Sequence, residues 1–127
     1  MIDIGGEGRH AGALNVNPSK VTSTTGAAGR PIPNHVSFDG KRLPFTDRSV
    51  DVIHLENAPI RPETIAEIKR VLRPGGDVRL VGPEDVSAAL HQQIAEALGG
   101  RVFQTRLPTK HGVPSLHTNI ILPPRQP

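Results

Sequence analysis

Apolar positions along this chain change period, and the changes mark out its elements. Ile65, Ile68, Val71 and Leu72 fall at i, i+3, i+6 and i+7, one stripe on a helix over 62–73. Pro62 suits the first helical turn, and Pro74-Gly75-Gly76 reads as the stop and turn that follow. Leu90, Ile94, Ala97 and Leu98 mark the inner face of a second helix over 84–98. Glu84 and Asp85 sit at its positive end, and Gly99-Gly100 closes it. Elsewhere short β runs are predicted at 1–5, 13–17, 35–39, 50–56, 77–82, 101–107 and 117–122, and several of them alternate with period two. Leu14 and Val16 alternate with Asn15 and Asn17, Val36 and Phe38 with His35, Ser37 and Asp39, and Phe103 and Thr105 with Gln104 and Arg106; Val78 and Leu80 flank Arg79.

Strands alternating with helices predict a doubly wound, largely parallel α/β sheet. The early crossovers are too short for that plan. About seven residues separate the first two predicted strands and span about 23–25 Å when extended, enough to return alongside but not to form a helix. The 18–34 connection carries no helical stripe, and Pro31 and Pro33 break it further. Strands buried on both faces read as continuous apolar runs, whereas these alternate. The expectation is a half-covered sheet, with two helices on one face and solvent, an ordered loop or a partner on the other. Ile2, Ile4, Val50, Val52, Ile53 and Leu55 leave little polar relief in the first and fourth strands. They predict association there, as a homodimer or with a partner protein.

Composition narrows this picture. A chain of 127 residues is one domain, placed here at 1–122 with a proline-rich tail at 123–127. Three Phe, no Trp and no Tyr make the core aliphatic. No apolar run approaches the roughly 20 residues of a membrane span, and no basic-then-apolar leader is present, which points to a cytoplasmic folded domain. Without cysteine there are no disulfides or thiolate sites. The six histidines lack metal-ligand spacing, so no metal is expected. Net charge is +3, a weak bias toward anionic partners, nucleic acid among them. Arg9, Arg30, Lys41, Arg42 and Arg48 read as solvated loop charges before they read as an anion-facing rim.

Three segments, in order, carry a family resemblance. Residues 61–83, with Arg70-Val71-Leu72-Arg73-Pro74-Gly75-Gly76 between helix and strand, resemble the "RVLKPGG" segment of class I S-adenosylmethionine (SAM) dependent methyltransferases. Leu43-Pro44-Phe45-Thr46-Asp47-Arg48-Ser49-Val50-Asp51 resembles that family's "LPFxDxSFD". Ile2-Asp3-Ile4-Gly5-Gly6-Glu7-Gly8 is similar to its first strand and glycine loop. The resemblance implies a Rossmann-like sheet with strand order 3-2-1-4-5-7-6, SAM as cofactor, and methyl transfer to an acceptor the sequence does not name.

It also implies a site. Asp3, Gly5, Gly6 and Gly8 would let the backbone approach the donor, with Glu7 standing where a further glycine is usual and the loop one residue short. Asn17 takes the place of the acid that holds the ribose hydroxyls, and Asp39 matches the acid near the adenine. Asn57-Ala58-Pro59-Ile60 occupies the place of the Asn-Pro-Pro-Tyr motif of amino-group methyltransferases, so Asn57 is a candidate with His54 and Glu56 as donor and base. For His54 and Glu56 the competing reading is of polar residues on the wet sheet face. Two other functions stay open: a methyltransferase-fold binding module that does not methylate, suggested by the missing helices and by Asn17, and a toxin domain of a larger secreted bacterial protein with an immunity partner. The opening through Asn15-Val16-Asn17-Pro18 is similar to such modules, and the abrupt start at a strand fits a domain cut from a longer chain.

Overall fold

A computed structural model describes residues 1–18, 22, 29–37, 42–56 and 61–124. Strands β1 (Ile2–Ile4), β2 (Leu14–Val16), β3 (His35–Val36), β4 (Val50–Glu56), β5 (Leu72–Pro83), β6 (Arg101–Leu107) and β7 (Ser115–Ile121) form one sheet in the order β3-β2-β1-β4-β5-β7-β6. Strands β1 to β5 run parallel, and β7 is antiparallel to both β5 and β6. Helix α1 (Pro62–Val71) links β4 to β5, and α2 (Glu84–Leu98) links β5 to β6. The order is the one the resemblance implies.

Register divides the sheet into two unlike faces. Ile2 pairs with Ile53, Ile4 with Leu55, and Leu55 with Leu80. These side chains join Val16, Val78 and Ile120 in one buried cluster with Ile65, Ile68 and Val71 of α1 and Ile94 and Leu98 of α2. Period-two strands meet period-3.6 helices there, and burial of this aliphatic surface is the main driving force of the fold. The apolar residues of β1 and β4 are therefore spent on the core. Ile2, Ile4, Ile53 and Leu55 are buried beneath the helices, Val50 is buried, and only Val52, which shares a face with His54, is half-buried, so these strands offer no extended open apolar face for association.

The other face is polar. Asp3 pairs with Asn15 on one side and His54 on the other, Asn15 with His35, His54 with Arg79, Arg79 with Asn119, and Asn119 with Phe103. One row of side chains crosses all seven strands. No helix covers it among the described residues, but a loop does so in part. The 5–13 connection, too short for a helix, folds over β1 and β2, leaving Asp3 and Asn15 fully buried and Arg79 exposed.

Several boundaries differ from the sequence expectation, most clearly the end of α1, the start of β5 and the start of β7. Helix α1 ends at Val71 because Leu72 is already extended and pairs with Val50, so Pro74-Gly75-Gly76 does not stop the helix. It lies at the irregularity where the β4–β5 register shifts, with Gly75 at φ 76°. Strand β7 begins at Ser115, before the predicted 117. Helix α2 ends as expected, with Gly99 left-handed at φ 69° and its N–H on the Ala95 carbonyl at 2.9 Å.

The segment before β4 is held by one side chain. Arg70 donates to the carbonyls of Leu43 (2.9 Å) and Phe45 (2.8 Å) and to the carboxylates of Asp47 (2.8 Å) and Glu67 (2.7 Å). Glu67 accepts from the Leu43 N–H at 2.7 Å. The Arg70 partnership holds the Glu67 carboxyl below its usual range. Leu43 is thereby fixed, fully buried, in the core. Arg70→Ala is expected to cost roughly 2–3 kcal/mol, since several charge-assisted bonds go at once and Glu67 is left half-buried. Urea unfolding measures it, and a loss below about 0.5 kcal/mol, the scale of an exposed pair, contradicts the clasp.

Candidate functional site

In an open parallel sheet, ligands bind outside the carboxyl ends of the strands, where strand order reverses. Here the reversal lies between β1 and β4. Asp3 closes the polar row of β1, and His54 and Glu56 end β4. The chain leaves β1 through a glycine turn, with Gly5 at φ 74° and its N–H on the Val16 carbonyl at 2.8 Å.

The glycines answer to the protein's own packing. A Cβ on Gly6 would stand 2.3 Å from Asn15 Oδ1 and 2.7 Å from Asp3 Oδ2, an impossible approach. Gly8, at φ 108°, has Pro33 2.8 Å from the same position. Asn15 knits the loop down, accepting from the Gly8 N–H at 3.3 Å and donating to the Pro33 carbonyl at 2.7 Å. Asn17 donates to the Gly6 carbonyl at 3.3 Å, and its own carbonyl lies 2.7 Å from His35 Nε2. A carboxylate at position 17 could not make that donation. The amide where the family resemblance leads one to expect an acid is thus matched to the shortened loop.

Arg9 and His10 complete the cluster. The Arg9 guanidinium lies 2.7 Å from Asp3 Oδ1 and 3.1 Å from Glu56 Oε2, tying β1 to β4 across the switch point. His10 Nε2 is 3.6 Å from Glu56 Oε2, and the ring stacks on His54 at 3.9 Å between centroids. His54 is buried beneath it, with Nε2 3.1 Å from the Met1 sulfur. Asp3 Oδ2 is fully buried and has no hydrogen-bond partner among the described residues, an unmet acceptor beside the glycine turn. No three His, Cys, Asp or Glu side chains converge as metal ligands among the described residues.

Of the residues singled out from sequence, Asp3, Gly5, Gly6, Gly8, Asn17, His54 and Glu56 therefore come together around one rim. Asp39 and Asn57 lie outside the described residues. Sequence reasoning missed Arg9 and His10 as members, having placed Arg9 among solvated loop charges. The shortness of the loop, seven or so residues returning from β1 to β2, showed that it passes over the carboxyl end of β1, but not which carboxylate or ring its side chains would meet.

The family model described as a methyltransferase domain matches residues 4–80. No curated protein sequence matches. Solved structures do. A chain from the complex of the Haloferax volcanii Trm112 methyltransferase activator with its methyltransferase partner superposes with TM-score 0.69 at 17% identity, covering 99% of this chain and 82% of that one. The YcgJ protein of Bacillus subtilis gives 0.62 at 13% identity over 98% and 92%. A SAM-dependent methyltransferase of Methanosarcina mazei gives 0.59 at 15% over 98% and 92%. At these identities the likeness is one of fold.

The stacked histidines carry a pH dependence. Burial, and then the neighbouring His10, push the His54 pKa down. Burial does the same to His91 of α2, whose Nδ1 lies 2.7 Å from Thr118 Oγ1. Both resist protonation in the fold relative to the unfolded chain, where they protonate near pH 6.5. Their contribution is whole above about pH 6.5 and is lost as pH falls below it. The urea midpoint is expected to drop between pH 7.5 and 5, before carboxylates titrate, and His91→Gln should flatten that drop. A midpoint constant over this window contradicts buried neutral histidines.

Proposed function

The chain belongs to the methyltransferase domain family, and from that premise we propose that it binds SAM along the rim formed by β1, β2 and β4 and passes its methyl group to an acceptor arriving near Glu56. The observation that carries the reading is the buried Asp3 Oδ2, without a hydrogen-bond partner among the described residues and, unlike Asp77 Oδ1 and Asn119 Oδ1 in the same state, placed at the carboxyl end of β1 beside the glycine turn and the switch point. An ammonium such as the donor carries is a group that would satisfy it.

The donor supplies a methyl already activated on a sulfonium, so the protein has mainly to position the partners and exclude water. The turn at Gly5, Gly6 and Gly8 brings main-chain groups to the rim without side chains in the way. Asn17 offers an amide to ribose hydroxyls, and Asp39 is assigned to the adenine side by the family pattern alone. Glu56, half-buried at the end of β4, is the group to take a proton from the acceptor, with Asn57 next to it in the chain as its positioning neighbour. His54 is covered by His10 and Met1, so its part is to support Glu56 from beneath.

One observation favours a second reading, a binding module that does not methylate. Arg9 already spans Asp3 and Glu56, and Asn17 is engaged by Gly6. Arg9 then stands where a ligand cation would stand. The toxin-domain reading keeps its own test, growth arrest when the domain is expressed in a cytosol.

Calorimetry with SAM and S-adenosylhomocysteine separates the first two. Micromolar affinity is expected for methyl transfer, and none at millimolar concentration supports the silent module. Arg9→Ala, which frees both carboxylates for a ligand ammonium, is expected to tighten binding by roughly three- to tenfold, about 0.6–1.4 kcal/mol. Weaker binding in that variant would show that Arg9 itself contacts the donor.

A further inference from the structure

The sheet ends in two very different edges. On one side β3 has only two residues, His35–Val36. On the other, β6 runs for seven residues, every one of them exposed. Its pairing with β7 is unbroken from Arg101↔Ile121 to Leu107↔Ser115, with no bulge. It contains no Pro, Lys or bulge to blunt an open edge, and its only charges are Arg101 and Arg106 near the two ends. Three of its large apolar side chains are open to solvent: Val102 at 45%, Phe103 at 50% and Leu107 at 46%. A straight, uninterrupted, partly apolar edge with free main-chain N–H and C=O groups is a template for another strand.

We propose that this other strand is β6 of a second copy, paired antiparallel about a two-fold axis through Gln104. The sequence of the strand is self-complementary in that register and in no parallel one. Arg101 falls opposite Leu107, Val102 opposite Arg106, Phe103 opposite Thr105, and Gln104 opposite its twin. Each arginine lays its aliphatic stem along an aliphatic partner. Each Phe103 gains an aromatic and β-branched cross-strand pair and a diagonal contact with the other Phe103.

Charge selects the same arrangement. The strand carries two arginines and no acid. A parallel pairing would set arginine on arginine. In the antiparallel register the two Arg101 side chains lie about 20 Å apart along the sheet and the two Arg106 about 14 Å, both beyond a Debye length of about 8 Å, while Arg101 and the second copy's Arg106, one position apart, point to opposite faces of the sheet. Arg106 is further offset by Glu84 of its own chain at 2.5 Å. The two-fold axis stands perpendicular to the sheet, so the polar faces of both copies form one continuous surface. Association occurs through the edge, away from the carboxyl rim of β1 and β4, so it does not depend on the donor reading.

The absence of native cysteine allows a direct test on the whole chain. Sedimentation equilibrium over a range of concentrations up to about 500 μM is expected to follow a monomer–dimer equilibrium whose mass rises toward twice the 13.6 kDa of one chain, with half-dissociation near 10–100 μM. Phe103→Lys, on an exposed site, is expected to return the monomer mass, with a melting curve matching that of the parent at about 1 μM, where both are monomeric. Gln104→Cys should cross-link on mild oxidation, because opposed residues hold their Cβ atoms within about 5.5 Å, whereas Arg101→Cys should not. A monomer up to about 500 μM, a mass above two chains, a dimer indifferent to Phe103→Lys, or cross-linking equal at both cysteine positions overturns the proposal.

Discussion

The carboxyl rim depends on one register. Because Asp3 of β1 stands opposite both Asn15 and His54, a carboxylate is placed at the centre of the sheet's polar face, in a position no helix covers. A carboxylate removed from water needs a cation and hydrogen-bond donors. Arg9 supplies the cation at 2.7 Å and reaches on to Glu56. The loop that carries Arg9 is thereby drawn across the rim, and Asn15 pins it through Gly8 and Pro33. The glycines, the amide at position 17 and the stacked histidines all follow from fitting a short loop over that buried charge.

This explains how the sheet holds together with helices on one face only among the described residues. The aliphatic core lies wholly between the strands and α1 and α2. The opposite face needs little hydrophobic cover, because register has filled it mostly with polar side chains, several of them bonded to one another. Over β1 and β2 the short loop does the covering. Over β5, β7 and β6 the row is more open, with Arg79 paired to Asp77 at 3.0 Å and half exposed. Family membership and local packing thus give two accounts of the same glycines. Gly6 and Gly8 are required by Asn15, Asp3 and Pro33 whatever else they do.

Much of the fold was legible in the sequence. The bounds of β4, α2 and β6 follow from clear periods and clear stops, and the seven-strand order follows from the family resemblance. The half-covered sheet followed from the seven-residue first connection, too short for a crossover helix, from the stripe-free second connection broken at Pro31 and Pro33, and from the period-two strands. The end of α1 was misread because Pro74-Gly75-Gly76 is a strong local signal, while the actual stop is tertiary: Leu72 is taken by Val50. The apolar residues of β1 and β4 were assigned to an open face because composition does not say which face a residue takes, and only the register with Ile53, Leu55 and Leu80 decides it. At the site, conformationally special residues and strand ends were readable. Arg9 and His10 were not, because their partners lie some fifty residues away in the chain, at Glu56 and His54, and no spacing rule links a loop cation to a carboxylate on a later strand.

The central claim is that this self-packed rim still receives a nucleoside donor at the β1 glycine turn. The most direct measurement is an amide NMR titration with S-adenosylhomocysteine. The account predicts saturable shifts at Gly5, Gly6, Gly8 and Asn17, with the Arg9 side-chain signal moving as its link to Asp3 is exchanged. Unmoved resonances at millimolar ligand, or shifts confined to another part of the sheet, would contradict it.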